Sequence, residues 1–255
     1  MSPQSPHTRA NRENWNTTSR AYQKSHRGEL EDDVLWGPSM PPERELKILG
    51  SDVAGKDVLE IACGGGQSAV HLAERGARVT GVDFSSAQLA HARAFAKSKK
   101  VRVRFIKSNV ENLSMLPDAS FDIAFSAYAL GFVEDIRRTF AEIRRVLRPG
   151  GLFAFSWASP MFAITRDGTL ELKRSYFDRG PIVFKDQNGT EVDFHRTYGD
   201  WHRALTEAGF VVTDILEPEP LPKKNTYADV FPLEKIRMIP GTTIWRARRP
   251  KVLEF

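Results

Sequence analysis

Residues 58–85, VLEIACGGGQSAVHLAERGARVTGVDFS, place two acids and three consecutive glycines at spacings that suit a nucleoside-containing ligand. Val58, Leu59 and Ile61 read as a short buried strand, and Gly64, Gly65 and Gly66 as a turn. Gln67 to Arg75 has helical spacing with Val70, Leu72 and Ala73 turned inward, and Arg78 to Val82 is the next strand. Asp83 stands at that strand's C-terminal end. In an open α/β sheet, ligands bind at the carboxyl ends of the strands, where the strand order reverses. Glycine there lets the backbone approach a ligand, and an acid after the second strand can accept both hydroxyls of a ribose.

Glycine spacing narrows the ligand. A dinucleotide fingerprint needs glycine at the first, third and sixth positions of the turn. Counted from Ala62, the third position is Gly64 but the sixth is Gln67, so that pattern fails. The phosphate-cradling pattern that ends in Gly-Lys-Ser/Thr is absent as well. Glu60-Ile61-Ala62-Cys63-Gly64-Gly65-Gly66 instead resembles the acid-x-Gly-x-Gly-x-Gly motif of class I S-adenosylmethionine-dependent methyltransferases of the small-molecule type. Ala62 replaces the first glycine, and its extra methyl group is tolerable if φ is negative there.

The resemblance extends over residues 57–157 and 198–216. Val101–Lys107 reads as a third strand, followed by Asn109-Val110-Glu111-Asn112-Leu113 where such enzymes often carry Asp-Ala-Glu-x-Leu. Phe121–Ser126 is similar to their fourth strand. The helix Ile136–Leu147 runs into Arg148-Pro149-Gly150-Gly151, which matches the family's turn, and Leu152–Trp157 follows as strand five. Trp201–Gly209 resembles the last helix, entering strand six at Val211–Leu216. Thr243–Arg248 is the candidate antiparallel seventh strand. The fold class implied is α/β: a Rossmann-like, seven-stranded, mostly parallel sheet with an antiparallel last strand, helices on both faces, and added cover segments.

The 255 residues fit one domain with insertions better than two. With 41% hydrophobic and 27% charged residues the chain has an ordinary globular composition. No apolar run reaches transmembrane length, no signal-peptide apolar region is evident, and one cysteine suits a reducing compartment, so a cytoplasmic protein without a membrane partner is expected. The six histidines are scattered and no Cys/His cluster has zinc spacing, so no metal is expected. Cys63 reads as a small buried residue of the turn. The excess of 37 Lys+Arg over 32 Asp+Glu raises nucleic acid as a partner. Its densest run, Lys97–Lys100 with Arg102 and Arg104, falls at the sheet edge opposite the ligand, and the Arg137/Arg138 and Arg144/Arg145 pairs read as a solvated helix face. Strand four also ends in Ser126-Ala127-Tyr128-Ala129 and lacks the Asn/Asp-Pro-Pro-aromatic tetrapeptide of many amino-methylating nucleic-acid enzymes. A small-molecule acceptor is therefore expected over nucleic acid, and a homodimer is left open.

Three segments are candidates to cover the site. Residues 1–45 place Trp15, Tyr22 and Trp36 among basic side chains. Tyr22 and Trp36 read equally as a fold-over on the cofactor or as peripheral docking, and Trp15 reads as structural. The rest of the chain, 46–255, forms the methyltransferase domain. An insertion at 158–197 carries a β-hairpin signal, Asn188-Gly189, and is expected to overhang the acceptor. Residues 217–241, with five prolines, suggest an added helix or an interface.

The resemblance implies S-adenosylmethionine as cofactor, S-adenosylhomocysteine as product, and in-line displacement in which the protein mainly positions the reactants. Asp83 is expected to hold the ribose hydroxyls, and Glu60 to orient the turn or the methionine amino group. The backbone of Ala62 and Gly64 to Gly66 would face the methionine part, with Gln88 nearby. Phe84 and Val110 would flank adenine, with Asn109 or Glu111 near its exocyclic amine, and Ser126 and Ala127 beneath the methyl. His195, His26 and Tyr128 are the base candidates, needed only if the acceptor keeps a proton, and Trp157 is a platform or a core residue. An RNA methyltransferase and a non-catalytic cofactor-binding protein remain alternatives. The latter would show an open fourth-strand edge without aromatic enclosure.

Overall fold

A computed structural model describes residues 5–31, 33–187, 189–222 and 226–251. In chain order the elements begin α1 (Pro6–Ser25), α2 (Arg27–Leu30), α3 (Glu43–Leu46), β1 (Asp57–Ile61), α4 (Gln67–Glu74), β2 (Arg78–Asp83), α5 (Ser86–Ser98) and β3 (Val103–Lys107). They continue with β4 (Phe121–Ser126), α6 (Ile136–Val146), β5 (Leu147–Ala158), α7 (Pro160–Ala163), β6 (Pro181–Asp186) and β7 (Gly189–Phe194). The last are α8 (Tyr198–Glu207), β8 (Val211–Leu216), α9 (Leu233–Ile236) and β9 (Thr242–Arg248). Seven strands form one sheet in the order β3-β2-β1-β4-β5-β9-β8, with β9 antiparallel to both neighbours. The order reverses between β1 and β4, so the crevice for a ligand opens above those two strands.

Alternation along the strands builds two cores. Leu59, Ala124, Phe153, Phe155 and Trp245 face α6 and α8, while Val58, Ile123, Phe125, Ala154 and Ile244 face the other layer. That second layer corrects the reading of Trp36. The segment from Val34 to Val53 buries Val34, Trp36, Met40, Ile48 and Leu49, covering the sheet where no long helix does. Trp36 is fully buried, packs edge-on against Phe125, and donates its indole N–H to Glu43 at 2.9 Å. Glu43 also accepts from the backbone of Ile48 and Leu49, which fixes this segment.

The insertion differs from expectation in its target. β6 and β7 pair as the hairpin its sequence signals, although Asn188 of that signal lies outside the described residues. The hairpin packs on α1: Asn11 donates to the Val192 carbonyl at 2.8 Å and accepts from its amide at 2.7 Å. Its inner strand thus braces the N-terminal helix. The Arg148–Gly151 segment lies within β5, with Gly150 at φ +83° and a register shift between Phe121 and Ile123. The paired arginines of α6 are also anchored. Arg145 donates to the carbonyls of Leu113 and Leu116 and pairs with Glu142 and Asp118, while Arg137 pairs with Glu207.

Candidate functional site

A cavity, open on one side, lies over the carboxyl ends of β1, β2 and β4. The loop after β1 forms its floor. Gly64 and Gly66 adopt left-handed φ of +50° and +72°. A Cβ at Gly64 would meet nothing within 4 Å, so its open side faces the cavity. A Cβ on Gly66 would strike Ala92 and Phe105, so this glycine serves close packing of the turn against α5 and β3. Gly66 does not line the cavity, contrary to expectation. Ala62 sits at φ +53°, the opposite of the negative value its methyl group would prefer. The first glycine of the motif is therefore replaced at a position whose backbone favours glycine.

Two buried carboxylates face this floor. Asp83 accepts from the backbone N–H groups of Gly64 at 2.9 Å and Ser85 at 2.8 Å, and from that of Phe84. Burial nevertheless pushes its carboxyl up to about 6. Glu60 accepts from the Ala69 amide and the Ser68 side chain in the first turn of α4, whose N-cap, Gly66, has no side chain to offer. Its other oxygen, Oε2, is buried without a hydrogen-bond partner among the described residues. Burial and, less strongly, the nearby Asp83 charge raise Glu60 to about 8. An unpaired buried acceptor of this kind marks a place for a ligand donor. Cys63 lies beside them with its thiol pushed up by burial, the opposite of an activated nucleophile.

The remaining walls come from distant parts of the chain. Phe84, Gln88, Val110, Ala127 and Tyr128 line the cavity, as do Asn109 and Glu111. Asn109 donates to Glu111 at 3.1 Å and accepts from its backbone at 3.2 Å, and Glu111 also accepts from the Asp135 amide. Above them, α1 lies across the glycine turn. Gln23 donates to Gln88 at 2.9 Å, accepts from Gln67, and stands where a Cβ on Gly65 would be. Asn16 accepts from Ser85 and the Ala87 amide, tying α1 to the start of α5. Trp15 and Tyr22 of α1 line the cavity, so Trp15 belongs to the site although its sequence reads as structural. Tyr227, from the proline-rich segment, meets Tyr22 hydroxyl to hydroxyl at 2.8 Å. Nothing local in the sequence links residues 205 positions apart, and neither Gln23 nor Tyr227 is legible without the fold.

Several expected site residues lie elsewhere. Ser126 is completely buried in β4, outside the cavity lining. His195 is buried in the insertion, Nε2 against the Tyr176 carbonyl at 3.0 Å. Burial lowers its pKa, and it reaches no cavity wall. His26 stacks flat on the outer face of Tyr227 at 4.1 Å with Nδ1 against Thr226 Oγ1, one layer behind the lining. Tyr128 does line the cavity, in a left-handed conformation, but burial drives its hydroxyl well above its ordinary pKa, so it is no base. Trp157 packs behind Tyr128 and Phe132 as a support. None of the described residues of 158–197 reaches the cavity lining, so among them the insertion braces the cover and does not itself form it.

The sheet order, the glycine turn and the acid after β2 are those of the Rossmann-like fold of class I S-adenosylmethionine-dependent methyltransferases, which the chain resembles. Residues 59–155 match the family described as a methyltransferase domain. The chain is 29% identical over 195 residues to the uncharacterized methyltransferase YbaJ of Bacillus subtilis (strain 168), covering 71% of this chain and 76% of that one. It is 39% identical over 129 residues to the S-adenosyl-L-methionine-dependent Diels-Alderase iccD of Talaromyces variabilis, covering 47% of this chain and 44% of the relative. Among solved structures it is similar to an S-adenosylmethionine dependent methyltransferase from Mesorhizobium loti, with TM-score 0.68 and 29% identity over 80% of this chain and 96% of that one.

Proposed function

We propose that this protein transfers a methyl group from S-adenosylmethionine to a small molecule enclosed beneath α1. The single observation that carries this reading is the two-part cavity: a floor with an unpaired buried carboxylate oxygen and an open glycine, continuous with an aromatic chamber. Asp83, fixed by three backbone amides, would accept from the ribose hydroxyls, and Glu60 Oε2 would accept from the methionine ammonium. Gly64 would admit the methionine chain, and Phe84 and Val110 would flank the adenine. Asn109 and Glu111 would meet its exocyclic amine, and Ala127 would lie beneath the methyl. The bound cofactor supplies an activated methyl on a sulfonium, displaced in line by the acceptor. The residues of this chain orient both molecules and exclude water, a contribution of up to several kcal/mol.

A second reading has one observation in its favour. No histidine lines the cavity among the described residues, and the tyrosines there are held neutral by burial. A protein that binds the cofactor and acts on a small molecule without transferring methyl would need no base, and the Talaromyces relative is named an S-adenosyl-L-methionine-dependent Diels-Alderase. The aromatic walls of the chamber, by contrast, differ from the bare fourth-strand edge that a non-catalytic protein would show. Incubation with methyl-labelled cofactor and a metabolite extract, an RNA fraction and a protein fraction tests the proposal. Label is expected in the low-molecular-weight fraction. Label in RNA overturns the small-molecule reading, and a bound cofactor with no label transferred favours the second.

A further inference from the structure

The acceptor end of the cavity is built from uncharged groups. Trp15 meets Tyr22 edge-on at 5.1 Å and Phe132 at 5.7 Å, and Leu30, Leu35 and Val133 complete an apolar wall. Among the described residues, no lysine, arginine or histidine lines the cavity. The ionisable groups that act on the tyrosines are acidic: Glu29 on Tyr22 and Tyr227, Glu191 on Tyr22, and Asp193 on Tyr128, with burial raising Glu191 to about 7 and Asp193 to about 8. A ligand carboxylate or phosphate here would lose its water without gaining a cation, at a cost that selects against it. An ammonium is disfavoured for another reason, since the reacting atom must lie next to the positive sulfonium and like charges repel. Polarity at this end comes from the Tyr22–Tyr227 hydroxyl pair, with Thr8 and Tyr128 also in the lining.

From this geometry we infer that the acceptor is an uncharged planar phenol or enol, held by its reacting hydroxyl against Tyr22 and Tyr227. The inference rests on the methyl-transfer reading above and adds the acceptor's class and its anchor. Flat walls favour stacking on a conjugated ring. The chamber offers hydrogen bonds to the acceptor oxygen but no base to take its proton, and an aliphatic alcohol holds that proton too tightly. In a phenol or enol, conjugation weakens the O–H bond and spreads the charge left behind, which the Tyr22 hydroxyl, itself bonded to Tyr227, stabilises. The acceptor O–H proton passes to solvent at the open side of the cavity, the oxygen–methyl bond forms as the sulfur–methyl bond breaks, and the sulfonium becomes a neutral thioether.

Calorimetric titration of the protein saturated with S-adenosylhomocysteine tests this with four probes of one ring. They are methyl para-hydroxybenzoate, its methyl ether, para-hydroxybenzoate and tyramine. The neutral phenol is expected to bind about tenfold more tightly than each of the others, the worth of one well-made hydrogen bond. Tyr227→Phe and Tyr22→Phe should each erase its advantage over the methyl ether, with circular dichroism confirming the fold. Equal or tighter binding of the carboxylate or of tyramine overturns the inference. So does an advantage over the ether that survives both substitutions, or no binding of any probe to the loaded protein. Failure of S-adenosylhomocysteine itself to bind overturns the underlying methyl-transfer reading, which separates the two failures.

Discussion

The two ends of the cavity are made in different ways. At one end, Glu60, Gly64 and Asp83 come from a single stretch of 24 residues, and backbone amides fix each carboxylate. At the other, Trp15, Tyr128 and Tyr227 arrive from three segments, with α1 held by Asn11 to β7 and by Gln23 to Gln88 of α5. The first end is a local motif whose chemistry is written in its spacing. The second is an assembly whose chemistry depends on packing.

The contrast can be broken first at its supports. Trp36→Ala should cost about 3–5 kcal/mol of stability, since it empties a fully buried site and strands Glu43. Chemical denaturation measures this, and S-adenosylhomocysteine affinity in the folded fraction should not change. A selective loss of affinity would return Trp36 to the site. Gln23→Ala leaves the Gln67 and Gln88 amides with one partner fewer, and it should weaken cofactor binding by about tenfold and speed its release. Stopped-flow dissociation checks this; unchanged release would separate α1 from the cofactor.

A pH effect sharpens the same contrast. Glu60 and Asp83 have folded values of about 8 and 6, above their ordinary 4.5 and 3.8. The folded chain keeps protons that the unfolded chain gives up, so their contribution to stability is complete below about pH 4 and is lost as pH rises through 6 and 8. Thermal unfolding of the ligand-free protein should show that decline, and Glu60→Gln should flatten its upper part. A slope unchanged in Glu60→Gln would mean that Glu60 is ionised throughout. The smallest effect is expected at Ala62, where Ala62→Gly should stabilise by about 1 kcal/mol by relieving a left-handed alanine. Denaturant midpoints decide it, and a loss of stability would show that the methyl group's packing outweighs the strain.

These differences explain what could be read from the sequence. The sheet arrangement with its antiparallel β9 is implied by the family resemblance, whereas the strands and the β6–β7 hairpin follow from periodicity and turn residues, which act over a few positions. The acids at the ends of β1 and β2 are legible for the same reason. Trp36 and Ser126 misled because residue type and position in the chain do not reveal which face of the sheet a side chain takes. His195 misled because a hairpin can brace a cover without reaching the cavity. Tyr227 and Gln23 had no local signal, since their partners lie 205 and 44 positions away.

The most direct test of the account is calorimetric titration of S-adenosylhomocysteine into the native protein and Asp83→Ala, with NADH as control and circular dichroism to establish folding. The account predicts micromolar binding of S-adenosylhomocysteine to the native protein, none of NADH, and an affinity at least about 100-fold weaker in the variant, or about 2.7 kcal/mol. Equal affinity in a folded Asp83→Ala protein, or no binding to the native one, would contradict it.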